Sequence, residues 1–115
     1  MTKPFPVAER SSGPFDLSKT PIHLESGAPG RLIMVESTPT SWGAWERHTE
    51  GDEIVIILEG KGEFIQEFGG EARRTAVGPG SAIINPAGVW HTADVEEPLK
   101  AIYITPCPGT QHRAR

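Results

Sequence analysis

Residues 44–60 read AWERHTEGDEIVIILEG, and two properties of this stretch decide the fold. Residues 53–59 (EIVIILE) are dense in β-branched side chains, which crowd a helical turn but suit a pleated surface. The run is also bounded by turn formers, Thr49-Glu50-Gly51-Asp52 before it and Gly60-Lys61-Gly62 after it. It therefore reads as a strand on which Glu53, Val55 and Ile57 share one face, with Val55 and Ile57 as core candidates. Ahead of it, residues 44–48 alternate, Trp45 and Arg47 facing one way and Glu46 and His48 the other.

The same pattern continues in both directions. Upstream, residues 21–25 and 31–37 are strand candidates separated by Ala28-Pro29-Gly30, and Thr38–Gly43 is loop. Downstream, Gly60-Lys61-Gly62 is expected to close a hairpin into residues 63–68, where Phe64, Gln66 and Phe68 share a face. Gly69-Gly70 is a second hairpin turn into residues 71–77. Gly78-Pro79-Gly80 and Pro86-Ala87-Gly88 flank a short strand at 81–85, and residues 89–95 and 99–104 supply the last two strands. With 13 glycines and 11 prolines among 115 residues, there is little room for helix. About eight to ten short antiparallel strands predict an all-β jelly-roll barrel or sandwich. Residues 1–20, with Pro4, Pro6 and Pro14, read as an irregular arm. Residues 21–105 are the barrel, and residues 106–115 are a tail without pattern, expected to fray.

Composition excludes several roles. A net charge of −4 argues against nucleic acid as a partner, since that needs a basic face. No apolar stretch is long enough to span a membrane. The single Cys107 cannot form an internal disulfide, and residues 1–15 contain no apolar secretory core, so a cytoplasmic setting is expected.

The chemistry lies in four residues. Glu46 and His48, two apart on a strand, project together. A tight turn at Gly51 returns Glu53 to the same face, and His91 follows a Pro-x-Gly turn on a strand that a small barrel can bring alongside. Two imidazoles with carboxylates suit iron, manganese, nickel or zinc. Two neutral imidazoles and two carboxylates would bring a divalent ion's charge to zero. The alternative is a metal-free interior in which these groups hydrogen-bond one another and water. Asp52 reads as a turn residue that satisfies backbone N–H groups. Trp45 and Trp90, each beside a site residue, should point away from the site and be covered by the arm or a second subunit. Trp42 is a candidate for the pocket rim, with core filling as the simpler role for all three tryptophans. His23 and His112 have no partner at useful spacing, and His112 is expected in solvent.

Two runs carry a family resemblance. Glu46-x-His48-x4-Glu53-x6-Gly60 and Gly80-x5-Pro86-x-Gly88-x2-His91 resemble the first and second motifs of the cupin superfamily, in its small single-domain type. The chain departs from that pattern twice: Glu46 stands where cupins usually have the first histidine, and Val95 where they often have asparagine. The resemblance implies a cupin barrel with His48, Glu53 and His91 at metal-ligand positions. It leaves Glu46 open as a fourth ligand, a catalytic base, or a group turned aside. It implies a divalent transition metal (Fe, Mn, Ni or Zn) and a small oxygen-rich metabolite handled by dioxygenase or isomerase chemistry. A non-catalytic cupin that binds a small ligand, with or without metal, is the alternative, and a structural dimer module a third reading. A homodimer is expected from the family's habits.

Overall fold

The computed structural model describes residues 16–19, 22–24 and 30–115. Most of the expected arm, and the side chain of His23, lie outside the described residues. Eight strands run in chain order: β1 (Ile22–Leu24), β2 (Gly30–Thr38), β3 (Ala44–His48), β4 (Glu53–Phe68), β5 (Glu71–Val77), β6 (Ala82–Asn85), β7 (His91–Cys107) and β8 (Thr110–Ala114). All pairings are antiparallel, and no helix occurs among the described residues. This is the all-β jelly roll expected from the alternation of strands and turns.

Two long strands organise the molecule. The first half of β4 pairs with β6 and with the second half of β7, which continues to β2 and β1. The second half of β4 pairs with β5 and with the first half of β7, which meets β3 and then β8. β4 and β7 thus belong to both sheets. Val55, Ile57, Phe64, Val77, Ile83, Ala93, Leu99, Ala101 and Tyr103 fill the space between the sheets.

Three expectations need correction. Gly60-Lys61-Gly62 does not reverse the chain. β4 runs through it and keeps pairing with β7, with register irregularities between Ile57 and Gly62. Gly60 has a φ of +94°, and a Cβ there would lie 2.0 Å from the Pro98 carbonyl oxygen, so glycine is required for a bend rather than a hairpin. Likewise the strands expected at 89–95 and 99–104 are not two: the continuous β7 starts at His91 and runs through both. The third correction concerns the tail. Residues 110–114 form β8, paired residue for residue with β3 from Ala44↔Ala114 to His48↔Thr110. β8 has few apolar side chains to signal a strand. The open edge of β3, and ion pairs such as Arg113 with Glu67, order it instead.

Other expectations hold. Gly69-Gly70, with φ of +58° and +84°, joins β4 to β5 as a tight hairpin. Gly80 and Gly88 also have positive φ. Asp52 Oδ1 accepts a hydrogen bond from the Ala87 N–H at 2.8 Å, and the Gly88 N–H donates to the His48 carbonyl at 2.8 Å. These bonds tie the Pro86-Ala87-Gly88 turn to the end of β3.

Candidate metal centre

Four strand positions converge. Glu46 sits within β3 and His48 at its end, while Glu53 opens β4 and His91 opens β7. Glu46 is the cross-strand partner of His91 on one side and of His112 on the other. One donor atom from each of Glu46, His48, Glu53 and His91 lies within 4.8 Å of the other three. The structure therefore brings together all four residues singled out in the sequence.

Three of them are sealed from solvent: His91 is 0% exposed, and His48 and Glu53 are 2% exposed. Glu53 is held at both oxygens. Asn85 Nδ2 donates to Oε1 at 3.1 Å, and Thr105 Oγ1 donates to Oε2 at 2.6 Å. Asn85 in turn accepts from Gln66 Nε2 at 2.8 Å, and the same amide donates to the Ile84 carbonyl at 2.7 Å. The remaining faces of Glu53 look at the histidines, Oε1 at His91 Nε2 (3.3 Å) and Oε2 at His48 Nε2 (3.2 Å). Glu46 Oε1 approaches His48 Nε2 from the open side at 3.1 Å.

The imidazoles are oriented from behind. His91 Nδ1 lies 3.3 Å from the Val89 carbonyl, which can only accept, so the neutral ring carries its proton there and leaves a lone pair on Nε2. His48 Nδ1 lies 2.9 Å from Thr110 Oγ1. With the rings neutral, the His48 Nε2 and His91 Nε2 lone pairs are buried against carboxylate oxygens and have no hydrogen-bond partner. Two orphaned nitrogens aimed at two carboxylates are what an ion-binding donor set requires.

The electrostatics agree with this arrangement. Burial pulls the His48 imidazole down, but the Glu46 and Glu53 carboxylates more than offset it and raise its pKa to about 9. Burial pushes the Glu53 carboxyl up, yet His48 and His91 hold it well below the usual carboxylate range. Glu46 is lowered for the same reason, with His48 outweighing burial. The cluster therefore draws positive charge to its centre. A proton on His48 supplies part of it; a divalent cation would supply more and displace that proton.

Glu46, His48 and Glu53 line a cavity of about 350 Å³ together with Leu32, Met34, Trp42 and Tyr103, while His91 lies behind them. Burial keeps the Tyr103 phenol protonated by raising its pKa. Trp42 stands at this cavity, as expected of a rim residue, and also packs edge-on against Phe64 (5.8 Å) and His91 (6.1 Å). Ile57 and Phe64 are buried core, whereas Phe68 is half-buried under the Arg73 guanidinium, 4.4 Å from its ring centroid. Trp45 and Trp90 do point away from the site. Among the described residues, guanidinium groups cover them: Arg113 lies 5.1 Å from the Trp45 ring and 4.7 Å from Trp90, and Arg47 lies 4.6 Å from Trp90.

Sequence reasoning missed Asn85, Thr105 and Thr110 and left Gln66 without a role. It also left His112 without a partner, yet His112 Nε2 lies 3.2 Å from Glu46 Oε2. Only the alternation of Thr110 and His112 with Gln111 and Arg113 could have hinted at a strand there.

A family model described as Cupin domain matches residues 30–105, and the chain belongs to that family. Over 56 residues it is 43% identical to an acireductone dioxygenase of Rhodopseudomonas palustris (strain TIE-1), which is 49% of this chain and 33% of the relative, so only about a third of that protein is spanned. Among solved structures, it resembles a salicylate 1,2-dioxygenase from Pseudoaminobacter salicylatoxidans with gentisate adducts (TM-score 0.62, 16% identity, 76% of this chain and 25% of that one). It also resembles a cupin-2 domain containing protein from Shewanella frigidimarina NCIMB 400 (TM-score 0.56, 20% identity, 81% and 85%). Both likenesses establish the fold. Among the described residues, no helix is long and apolar enough to cross a membrane.

Proposed function

We propose that the chain binds one divalent transition metal through His48, Glu53 and His91, with Glu46 as fourth ligand, and acts on a small oxygen-rich metabolite in the adjoining cavity. The observation that carries this reading is the pair of buried, unpartnered Nε2 atoms facing two carboxylates. The donor set fits iron, manganese, nickel or zinc, and two imidazoles with a carboxylate are the pattern of non-haem iron oxygenases. When bound, such an ion supplies Lewis-acid polarisation of a substrate oxygen, or a centre for dioxygen chemistry if it is iron. The chain's own residues supply the rest. Glu53 is clamped by Asn85 and Thr105, Val89 orients His91, and Leu32, Met34 and Trp42 restrict water on the cavity side. Glu46, partly open to the cavity, is also placed to take a proton from a bound hydroxyl.

The names of the dioxygenase relatives support dioxygenase over isomerase chemistry. The second reading, a non-catalytic ligand-binding cupin, rests on Glu46 standing in place of the usual histidine. Metal analysis of the purified protein, with His48→Ala as control, separates them from the metal-free case. About one ion per chain in the wild type and none in His48→Ala is expected, and equal content in both would overturn the metal site. Oxygen uptake with candidate enediols and catechols then distinguishes enzyme from binder. The same proposal includes a homodimer in the cytoplasm. The outward-facing Ile54, Leu58 and Ile84 offer a second copy apolar surface to bury, and light scattering measures it.

A further inference from the structure

β8 lies beyond the residues that match the family model, which end at 105. It nevertheless touches both metal-facing residues of β3. The register pairs Glu46 with His112 and His48 with Thr110. Alternation then sends His112 and Thr110 to the site side of the sheet, and Gln111 and Arg113 to its outside. Outside, Gln111 accepts from Arg47 Nε at 2.6 Å and Arg113 pairs with Glu67. On the site side, the contacts fall on the ligand residues themselves. Thr110 Oγ1 meets His48 Nδ1 at 2.9 Å, the ring atom opposite the one that faces the carboxylates. His112 Nε2 meets Glu46 Oε2 at 3.2 Å, while Glu46 Oε1 faces His48 Nε2.

We propose that Thr110 and His112 are positioning residues: β8 is an outer shell that aims His48 and Glu46 at the metal. This rests on the metal-binding reading above. In the neutral ring that would bind an ion, Thr110 Oγ1 can accept from Nδ1–H, which leaves the lone pair on Nε2 and turns it toward the ion. A group held on Oε2 limits rotation of the Glu46 carboxylate and leaves Oε1 directed inward. Glu46 needs such a hold because its side chain is 27% exposed and none of the buried amides or hydroxyls that clamp Glu53 reaches it. His112, with a side chain 63% exposed, lies outside the group of four converging donors and acts through Glu46. The departure from the family's first histidine is thus accompanied by a histidine on the next strand, paired with the residue that replaced it.

The test is cobalt(II) titration of the full-length protein, read by the visible absorption of the bound ion and by competition with a chelator. His112→Ala and Thr110→Val should each weaken cobalt about tenfold, the lower end of outer-shell effects, and shift the absorption envelope. His112→Gln, which keeps a donor near Oε2, should recover most of the affinity. In a Glu46→Ala background, His112→Ala should change nothing further. Gln111→Ala is the control on the outer face of the same strand and should bind like wild type. The proposal is overturned if His112→Ala binds cobalt with wild-type affinity and spectrum. It is equally overturned if Gln111→Ala weakens binding as much, because β8 would then matter only as a covered edge. If wild-type protein takes up no cobalt, the metal-binding reading fails and this proposal falls with it.

Discussion

Glu53 and Glu46 present the same carboxylate to the same His48 ring, but from opposite surroundings. Glu53 is buried, and each of its oxygens serves one fixed donor, Asn85 or Thr105, and one imidazole. Glu46 is partly open, and its outer oxygen rests on an exposed histidine from a strand that, among the described residues, pairs with β3 alone. In a buried site the hydrogen-bonded scaffold keeps a charged ligand in place before any ion arrives. On the open side, adjustment is possible: Glu46 and Glu53 both line the cavity, but Glu46 has the more exposed side chain, 27% against 2%. One half of the centre is built for retention and the other for access.

Five substitutions, two of them of equal rank, test that contrast in descending order of effect. His91→Ala removes a fully buried donor and should abolish stoichiometric metal, a loss beyond the roughly 10–100-fold of outer-shell changes. Elemental analysis reads it, and an unchanged far-ultraviolet β spectrum would show that the barrel survives; one retained ion per chain would dissolve the distinction between the halves. Asn85→Ala or Thr105→Val should weaken metal toward the upper end of that range, about 100-fold. Each should also destabilise the metal-free protein by about 1–3 kcal/mol in urea titration, because Glu53 loses a buried partner. Glu46→Ala should cost more than the about tenfold expected for His112→Ala, which acts through it, but less than loss of the buried scaffold. A larger loss than for Asn85→Ala would reverse the assignment of the two sides. Smallest is Arg113→Ala, which removes an outer ion pair and a stacking partner of Trp45 and Trp90. It should cost about 0.5–1 kcal/mol of stability and leave metal affinity unchanged.

The buried half was also the more legible in the sequence. β-Branched density and turn residues around Glu53–Glu59 announce a strand, and the spacing of the four residues survives folding because His48, Glu53 and His91 stand at strand ends and Glu46 lies two residues before His48 on the same strand. What stayed hidden depends on contacts distant in the chain. Gln66, Asn85 and Thr105 gain meaning only when β4, β6 and β7 lie side by side, and any of them alone reads as an ordinary polar strand residue. β8 has little apolar periodicity at all; its order comes from the edge it covers. The bend at Gly60 was read as a reversal because glycine marks both, and only the opposing Pro98 decides between them.

That bend has a further consequence. Glu53 and Gln66 are an odd number of positions apart, so on an unbroken strand they would project to opposite sides. The irregularity between Ile57 and Gly62 resets the alternation, and both look inward to meet at Asn85. β4 is in effect read in two frames, with the four-residue cluster supported from both. Glu59 and Lys61 are exposed and can change identity at little cost, but the number of residues between Ile57 and Gly62 cannot. In this segment the message is carried by length, as a reading frame is, rather than by the letters that fill it.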